Sequence, residues 1–491
     1  MKECSQNKVF AENYLDNPIF GIVSSVAGDM GVRAFVIGGY VRDCFLGRKS
    51  KDIDIVVEGS GTAFAREVGR RVRSKVSVFE NYGTAMLRYH HTEIEFVGAR
   101  KESYSRDSRN PIVENGTLQD DQLRRDFTIN AMAFSLQKED YGALVDPFGG
   151  IRDLDKGIIR TPSDPDKTFD DDPLRMLRAV RFATKLSTWE KYFNITPECF
   201  ESIRRNACRL EILSKERIVD ELNKILVTPH PSMGFDLMDK AGMLQYILPD
   251  LLKLKGVQMV EGRAHKENFS HTLQVVDNLA EMEVEAIGKD GEPNVWLRWA
   301  ALLHDIGKPA SKRFDSVTGW SFHGHEVIGA RMIPRIFSSL KMPLNEKMKY
   351  VQKLVALHLR PQALVMEDVT DSAVRRLLFD AGDDIEDLML LCKADITSKN
   401  EHKVEVLKSN FDLVMGKIKE VEEKDAIRNW KNPITGDYIM ELFGLPPCKL
   451  LGELKDEIKD AILDCKCDNT FEAADALLRR LASERGLTPV K

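Results

Sequence analysis

Two aspartates two positions apart, Asp52 and Asp54, are the residues whose type and spacing most directly suggest chemistry. They open the segment DIDIVV, which has the apolar, β-branched composition of a strand. Successive side chains of a strand point to opposite faces, so the two carboxylates share one face. Carboxylate pairs bind divalent cations, and two such ions can hold the attacking and leaving oxygens of a nucleotidyl transfer. An exposed strand end with two aspartates also occurs without any metal.

A double-glycine turn, Gly38-Gly39, precedes these aspartates and follows the apolar strand 35–37. Glycine lets a ligand approach the backbone closely, and the helix predicted to begin at Val41 offers free N–H groups at its N terminus. The turn is therefore predicted to leave room for a triphosphate.

A third carboxylate, Glu95, lies in the predicted strand 93–97, on the face opposite Ile94 and Phe96. We expect it to join the two aspartates at the metal site. A solvent-facing glutamate on an edge strand is the alternative interpretation.

Arginines recur further along the chain. Arg125 stands beside the helical pattern of LRRDFTINAMA, where a guanidinium group can pair with phosphate oxygens. A helix over 173–184 follows the acidic run 170–172, because acidic residues and proline favour a helix start. Three arginines spaced three apart lie along one side of it: Arg175, Arg178 and Arg181. A capped surface helix with basic residues would show the same pattern.

Six of the ten histidines lie between His265 and His358. A His-Asp pair, His304-Asp305, ends an apolar helix, while His271 lies on an earlier amphipathic helix and Asp395 on a later one. Imidazole together with carboxylate suits manganese, nickel or zinc as well as magnesium. A single histidine is more often a core or surface residue, and for His265, His323 and His325 taken singly that alternative stays open.

The predicted strands and helices that carry these residues indicate a multidomain α+β protein. A small mixed β-sheet with helices forms the first region, and all-α regions follow. The predicted domains are a catalytic head (1–160), a helical neck (161–250), a metal-binding domain (251–400) and a helical C-terminal region (401–491). The polar stretch 98–121 has no sustained period and is predicted to be a mobile loop.

The composition is that of an ordinary folded protein, with 491 residues, 43% hydrophobic and 30% charged. We expect a cytoplasmic protein, since no apolar run is long enough for a membrane span and no signal peptide is evident. The eight scattered cysteines are expected to be reduced thiols. A net charge of -6 argues against nucleic-acid binding, but residues 175–224 hold eleven Lys or Arg against seven acids.

Five motifs stand in a recognisable order: GGYVRD with DIDIVV, RRDFTINAMA, DPFGGIRDLDKGIIR, FDDDPLRMLRAVRFA and KERIVDEL. Together they resemble the class II tRNA nucleotidyltransferase and bacterial poly(A) polymerase family over residues 20–250. The resemblance implies that Asp52 and Asp54 hold two magnesium ions and that Gly38, Gly39 and Arg42 hold the triphosphate.

The same resemblance implies that Arg125, Asp126 and Asn130 contact the sugar and phosphates of the nucleotide. It implies that an amino-acid template selects the base through Asp171, Asp172 and Arg175, with Arg178 beside them in the nucleotide site. The family's template usually opens with glutamate, where this chain has the shorter Asp171. Further supporting residues are implied at Arg160, Glu216 and Arg217, although Glu216 and Glu221 equally suit helix salt bridges.

The ordered set His271, His304-Asp305 and Asp395 resembles the HD phosphohydrolase superfamily, a helical metal-dependent fold. The resemblance implies a divalent metal (Mg, Mn, Ni or Zn), with His325 and His358 able to complete a dinuclear site and His323 an additional candidate. Hydrolysis of phosphomonoesters or phosphodiesters, for instance 2′,3′-cyclic phosphate ends, is the implied activity.

The function implied is template-independent addition of CCA to tRNA 3′ ends from CTP and ATP. A partial adder of C or of A alone, and a poly(A) polymerase, share these motifs. From a different class, an HD-type hydrolase with an RNA-binding head remains an alternative. The sequence does not predict an oligomeric state.

Overall fold

The computed structural model divides into two compact units, Met1–Leu252 and Lys253–Lys491. It describes residues 14–50, 52–80, 83–105, 108–188, 190–265, 267–287, 291–366, 370–397, 401–425 and 430–490. The first unit holds a mixed β-sheet with helices and the second is mostly helical. The predicted multidomain α+β fold is confirmed. The start of the chain, 1–13, lies outside the described residues.

A seven-stranded sheet is the framework of the first unit, in the order β3-β4-β5-β2-β1-β8-β9. Its strands are β1 (Ala34–Ile37), β2 (Asp52–Val57), β3 (Val76–Phe79), β4 (Thr84–Tyr89), β5 (Thr92–Gly98), β8 (Ala133–Ser135) and β9 (Leu144–Val145). The strands predicted around DIDIVV and over 93–97 correspond to β2 and β5.

The pairing of the central strands places the acidic residues side by side. Strand β2 runs antiparallel to β1 and parallel to β5. Asp52 is the register partner of Glu93, and Asp54 is the partner of both Ile37 and Glu95. Ile53 and Ile55 are buried beneath the sheet, while Asp52 is exposed and Asp54 half-buried. The alternation predicted for DIDIVV therefore places the carboxylates together at one end of the sheet.

The stretch 98–121 is not the structureless loop that its polar composition predicts. It contains a two-stranded hairpin, β6 (Arg100–Ser105) with β7 (Ser108–Asn115). A short helix, Leu118–Leu123, follows and begins at a capping box formed by Thr117 and Asp120. The prediction was wrong because a hairpin is held by backbone hydrogen bonds between its strands and needs no apolar period. The capping-box spacing of Thr117 and Asp120 was a local signal that could have indicated the helix.

The remaining elements of the first unit are mainly helices. In chain order they are α1 (Pro18–Met30), α2 (Gly39–Phe45), α3 (Gly61–Val72), α4 (Leu118–Leu123), α5 (Gly150–Lys156), α6 (Pro165–Asp171), α7 (Leu174–Leu186), α8 (Pro197–Asn206), α9 (Lys215–Leu226), α10 (Pro231–Lys240), α11 (Leu244–Ile247) and α12 (Pro249–Leu252). A short parallel pair, β10 (Ile158–Ile159) with β11 (Asn194–Ile195), lies among them. Helix α7 matches the helix predicted over 173–184.

The second unit is built of helices with two small hairpins. The helices are α13 (Asn268–Ile287), α14 (Val295–Leu303), α15 (Lys308–Ser311), α16 (His325–Ser339), α17 (Glu346–Leu357), α18 (Arg360–Met366), α19 (Asp371–Ala381), α20 (Ile385–Ala394), α21 (Glu401–Asp425), α22 (Gly436–Phe443), α23 (Lys449–Leu463) and α24 (Phe471–Glu484). The hairpins are β12 (Met259–Val260) with β13 (Arg263–Ala264), and β14 (Arg313–Asp315) with β15 (Gly319–Ser321). They are short additions to the helical region that the sequence predicted.

Among the described residues, no helix is both long and apolar enough to cross a membrane. The seven cysteines that the structure describes are free thiols, as their scattered positions predicted.

Candidate active sites

The carboxylates of the first unit line an open cleft of about 610 Å³ at the end of β2 and β5. Asp52, Asp54 and Glu95 all face it. The first turn of α2 contributes Gly39 and Arg42 to the same cleft, as the glycine turn predicted. Its acidic members converge from two neighbouring strands, which is the arrangement that a cation with oxygen ligands requires.

Burial and like charge act together on these carboxylates. Burial raises the pKa of Asp54, and Asp52 raises it further, against the opposing effect of Arg125. Burial likewise raises the pKa of Glu95, and Asp54 adds to the rise. A divalent cation among these carboxylates would offset the burial and like charge that raise the pKa of Asp54 and Glu95. The donor set therefore fits magnesium, with hard oxygen ligands on rigid strands.

Gly38 permits the close approach of the groups around this cleft. Its φ of +82° lies in the region that side chains disfavour. A Cβ atom on Gly38 would lie 2.9 Å from Nη1 of Arg125 and 3.2 Å from Oδ2 of Asp54. The positive φ of the turn thus favours glycine, and a side chain at this position would also displace the Arg125 guanidinium group and the Asp54 carboxylate.

A chain of hydrogen bonds links the predicted nucleotide-binding residues. Arg42 Nη1 donates to Oδ1 of Asn130 at 2.8 Å, and Asn130 Nδ2 donates to Oδ1 of Asp126 at 3.1 Å. Oδ2 of Asp126 in turn accepts from Nε of Arg178 at 2.7 Å. Residues from α2, from the segment after α4 and from α7 are thereby fixed relative to one another.

Asp126 is the centre of that chain of hydrogen bonds and is buried. Burial alone would raise its pKa, but the Arg178 charge and the hydrogen bond from Asn130 lower the pKa to about 2. The carboxylate is therefore ionised across the physiological range and holds both partners in place.

The three residues predicted as a base template lie at the junction of α6 and α7. Asp172 ends α6, and its Oδ1 accepts from the backbone N–H of Leu174 at 3.2 Å. Asp171 and Arg175 line a separate cavity of about 130 Å³ with Arg124. The structure thus brings these residues near one another, but not into the lining of the carboxylate cleft.

The supporting residues have protein partners. Arg160 Nη2 lies 2.8 Å from Oδ2 of Asp153. Glu221 forms a buried ion pair at 2.6 Å with Arg181, so the helix salt-bridge interpretation applies to it. Glu216 and Arg217 lie in the first turn of α9.

Sequence reasoning missed Phe182, whose buried ring has three arginine guanidinium groups within cation–π range. They are Arg42 at 5.2 Å, Arg178 at 5.4 Å and Arg181 at 4.4 Å from the ring centroid. The spacing of Arg178 and Arg181 around Phe182 on α7 gave part of this signal. The contact with Arg42 joins positions 140 residues apart and has no local signature.

The second unit gathers the predicted histidines and aspartates into one buried cluster. His271 Nε2 lies 2.9 Å from Oδ1 of Asp395 and 3.5 Å from Oδ2 of Asp305. His304 Nε2 lies 3.3 Å from Oδ2 of Asp305. On the other side of Asp305, Oδ1 lies 3.2 Å from His325 Nε2 and 4.0 Å from His358 Nε2.

These atoms form two groups with metal-ligand spacing that share Asp305. One group is His271, His304 and Asp305, and the other is Asp305, His325 and His358. A carboxylate shared between two sets of imidazoles is the arrangement predicted for a dinuclear site.

Hydrogen bonds at Nδ1 orient every histidine of the cluster. His304, His325 and His358 each place Nδ1 2.8 Å from the backbone carbonyl oxygen three residues earlier. His271 Nδ1 lies 2.7 Å from Oγ1 of Thr397. A backbone carbonyl oxygen only accepts, so His304, His325 and His358 carry an N–H at Nδ1 and present the lone pair of Nε2 to the centre of the cluster.

The local environment of His304 shows that the cluster fits a cation. Its Nε2 is buried and makes no hydrogen bond, which is costly unless another group satisfies it. Burial lowers the pKa of His304, but Asp305 and Asp395 outweigh that effect and raise it to about 10. The two carboxylates thus favour a positive charge at the centre of the cluster.

The glycine after the His-Asp pair lets two ligand-bearing segments meet. A Cβ atom on Gly307 would lie 2.1 Å from the carbonyl oxygen of His325. Any side chain at position 307 would therefore push the start of α16 away from Asp305.

Two of the additional histidines are not part of the cluster. Nε2 of His265 lies 2.6 Å from Nζ of Lys312 and 3.1 Å from the backbone nitrogen of Gln258. His323 is exposed and belongs to neither group with metal-ligand spacing. Among the described residues, the structure therefore gathers His325 and His358, and not His265 or His323, around Asp305.

Sequence reasoning missed two residues that hold the carboxylates of the cluster. Lys308 Nζ lies 2.5 Å from Oδ2 of Asp305, and Gln362 Nε2 donates to Oδ2 of Asp395 at 2.7 Å. Lys308 follows the His-Asp pair by three residues, a local signal that was available. Gln362 lies on α18, 33 residues before Asp395, and only the fold brings them together.

Both units of the chain are similar to known proteins. Family models match residues 34–160 (Poly A polymerase head domain), 192–254 (probable RNA and SrmB-binding site of polymerase A) and 268–400 (HD domain). An A-adding tRNA nucleotidyltransferase of Deinococcus radiodurans is 30% identical over 437 residues, covering 87% of this chain and 91% of that protein. The chain belongs to the tRNA nucleotidyltransferase family.

Other members of the tRNA nucleotidyltransferase family match to different extents. An A-adding enzyme of Aquifex aeolicus is 41% identical over 286 residues, which are 58% of this chain and only 32% of that protein. A multifunctional CCA protein of Xylella fastidiosa is 30% identical over 76% of this chain and 85% of its own length. A crystal structure of a tRNA nucleotidyltransferase with a primer tRNA and an ATP analogue is 25% identical, with a TM-score of 0.57, over 82% of this chain and 99% of that one.

Proposed function

We propose that this tRNA nucleotidyltransferase adds CCA to tRNA 3′ ends from CTP and ATP without a nucleic-acid template. The observation that carries the proposal is the convergence of Asp52, Asp54 and Glu95 from two adjacent strands into one open cleft. The family membership makes tRNA the expected primer.

In this proposal Asp52, Asp54 and Glu95 hold magnesium. When bound there, magnesium supplies the positive charge that a nucleotidyl transfer needs at its attacking and leaving oxygens. The Gly38-Gly39 turn leaves the backbone open to the triphosphate, and Arg42 orients it.

Residues from the segment after α4 and from the junction of α6 and α7 complete the proposed nucleotide site. Arg125, Asp126 and Asn130 position the sugar and phosphates, and Arg178 keeps Asp126 ionised and fixed. Asp171, Asp172 and Arg175 select the base, because a planar guanidinium group and a carboxylate together can read one edge of cytosine or adenine. A site built to hydrogen-bond one edge rejects bases that leave its polar groups unpaired.

The test of this proposal is incubation of tRNA lacking its CCA end with labelled CTP and ATP, separately and together. We expect CTP to extend the tRNA by two C residues. We expect ATP to add the final A only after both C residues are in place. Tails of many A residues on any RNA would assign a poly(A) polymerase instead.

Addition of the final A alone is a second candidate, favoured by the names of the relatives from Deinococcus and Aquifex. The same assay separates the two, because an A-adding enzyme extends only tRNA that already ends in CC. Extension of a tRNA lacking all three nucleotides with CTP would exclude this candidate.

For the second unit we propose a phosphohydrolase site in which the six gathered residues hold one or two divalent metal ions. The ligands are His271, His304, Asp305, His325, His358 and Asp395. A metal at such a site supplies a nucleophilic hydroxide and polarises the phosphoryl oxygens. Imidazole ligands suit Mn, Ni or Zn in addition to Mg.

Hydrolysis of phosphomonoesters or 2′,3′-cyclic phosphodiesters with each of these metals, by wild type and a His304→Ala, Asp305→Ala double variant, tests the site. Loss of activity and of bound metal in the variant is expected. Equal hydrolysis by both proteins would refute the site.

A further inference from the structure

Some of the cationic side chains beside the carboxylate cleft form an ion pair with a protein carboxylate, and others do not. Arg42 Nη2 lies 2.7 Å from Oδ1 of Asp43. Arg125 Nε lies 3.2 Å from Oδ2 of Asp121, which is fully buried. Both guanidinium groups therefore carry part of their charge balance within the protein.

Lys185 has no such companion. It lies near the end of α7, and its side chain lines the cleft that Asp52 and Asp54 also line. Within the part of the chain that the structure describes, no carboxylate lies within ion-pair distance of its ammonium group. Partial burial lowers the pKa of Lys185, and the nearby Arg42 and Arg181 lower it further, against the opposing effect of Asp43.

A lysine that is partly buried beside two arginines, and whose charge Asp43 offsets only in part, is stabilised when a strong anion binds there. Arg181, four residues before Lys185 on α7, is already paired with Glu221 at 2.6 Å. The cleft thus presents carboxylates on one wall and an unpaired ammonium group on another, with space for a ligand that carries both a cation and several negative charges.

We propose that Lys185 binds the β and γ phosphates of the incoming nucleotide. This inference rests on the proposed nucleotidyl transfer in the same cleft. A lysine ammonium group is a compact point charge with three donors, which suits the terminal phosphates of a triphosphate. Arg175 begins the same helix, so α7 would contact the base near its first turn and the phosphates near its last.

The test uses inorganic pyrophosphate, the product formed from those two phosphates, and AMP, which lacks them. Binding of each to the full-length protein with magnesium is measured by titration calorimetry for wild type and Lys185→Met. We expect the Kd for pyrophosphate to rise about tenfold or more, as for loss of a hydrogen bond between charged groups, with the Kd for AMP unchanged.

Two further variants separate a ligand contact from a structural effect. Lys185→Arg keeps the charge and should retain most of the pyrophosphate affinity. Lys191→Met removes a lysine just beyond α7 whose Nζ lies 5.7 Å from the Phe193 ring centroid, outside the cleft lining. It should leave both dissociation constants unchanged.

Steady-state kinetics complete the test. For Lys185→Met the KM for ATP should rise by the same factor as the Kd for pyrophosphate, while the KM for tRNA stays unchanged. Wild-type pyrophosphate affinity in Lys185→Met, or a rise only in the KM for tRNA, would overturn the proposal. A wild-type protein that binds pyrophosphate but transfers no nucleotide would refute the proposed function and leave the calorimetric result for Lys185 valid.

Discussion

The two candidate metal sites differ in the type of ligand and in how deeply the ligands are buried. In the first unit the ligands are carboxylates at a sheet edge, and Asp52 is exposed in a cleft of about 610 Å³. In the second unit imidazoles alternate with carboxylates, and His304 and Asp305 are almost completely buried. An open edge admits a large substrate, whereas a buried cluster fixes its ligands before any substrate arrives.

The two sites also differ in what orients the proposed ligands. Each histidine of the cluster has its Nδ1 bound to a backbone oxygen or to Thr397, so hydrogen bonds to the protein set the orientation of each ring. The cleft carboxylates are instead oriented by the strand register of β2 and β5. The ligand types predict magnesium in the cleft and a wider choice of metals in the cluster.

The largest effect should come from removing a carboxylate from the cleft. Asp54→Ala should lower nucleotide transfer to tRNA about a thousandfold or more, because a bound metal contributes several kcal/mol to the transition state. Phosphate-ester hydrolysis should stay at the wild-type rate. Gel analysis of tRNA extension and a phosphate-release assay on the same preparation measure both, and transfer within about tenfold of wild type would contradict the cleft assignment.

Removing one imidazole should change metal binding in the second unit only. His358→Ala should weaken manganese or nickel binding by more than about a hundredfold, a larger effect than loss of a residue that merely supports a ligand. His323→Ala is the matched control, because His323 is exposed and outside the cluster. Equal metal content of the two variants after dialysis, measured by mass spectrometry, would show that His358 is not a ligand.

A smaller effect should follow from substituting a residue that supports a ligand. Gln362→Leu removes the donor to Asp395 and should weaken metal binding about 10- to 100-fold, as is typical of such partners. Gln352→Leu is the control, since its amide donates to the carbonyl oxygen of Ala330 and not to the cluster. Titration of the metal-free proteins with manganese compares them, and equal affinities would remove Gln362 from the site.

The smallest effect concerns stability in the first unit. Asp126→Asn removes the charge that pairs with Arg178 and should lower the free energy of unfolding by about 1–3 kcal/mol. The folded-state pKa of about 2 lies below the usual value for aspartate, so this contribution is complete above about pH 4 and is lost as the pH falls towards 2. Urea unfolding at pH 7 and pH 3 measures it. A difference between variant and wild type that grows on acidification would contradict the pairing.

Local patterns predicted most of the residues that the structure gathers at the two candidate sites. Alternation in DIDIVV placed Asp52 and Asp54 on one face, and the Gly38 turn followed from its glycine pair. His304 and Asp305 are adjacent in the chain, so one helix end brings both to the cluster. Such features depend on neighbours a few residues apart, where backbone geometry alone decides the outcome.

Features that depend on distant segments were not predictable in the same way. Asp126 and Arg178 meet across 52 residues, and Gln362 and Asp395 across 33. The hairpin in the stretch 98–121 was missed because its strands pair with each other and carry no apolar alternation. Lys185 reads in the sequence as one more basic residue of an amphipathic helix, and only the packing of α7 brings it to the cleft.

We propose that nucleotide transfer takes place in the carboxylate cleft and hydrolysis at the histidine cluster. Both reactions can be measured in wild type, Asp54→Ala and Asp305→Ala under one set of conditions. We expect a reciprocal pattern, in which Asp54→Ala loses only transfer to tRNA and Asp305→Ala loses only phosphate-ester hydrolysis. Transfer that survives in Asp54→Ala, or that disappears in Asp305→Ala while its fold is intact, would contradict it.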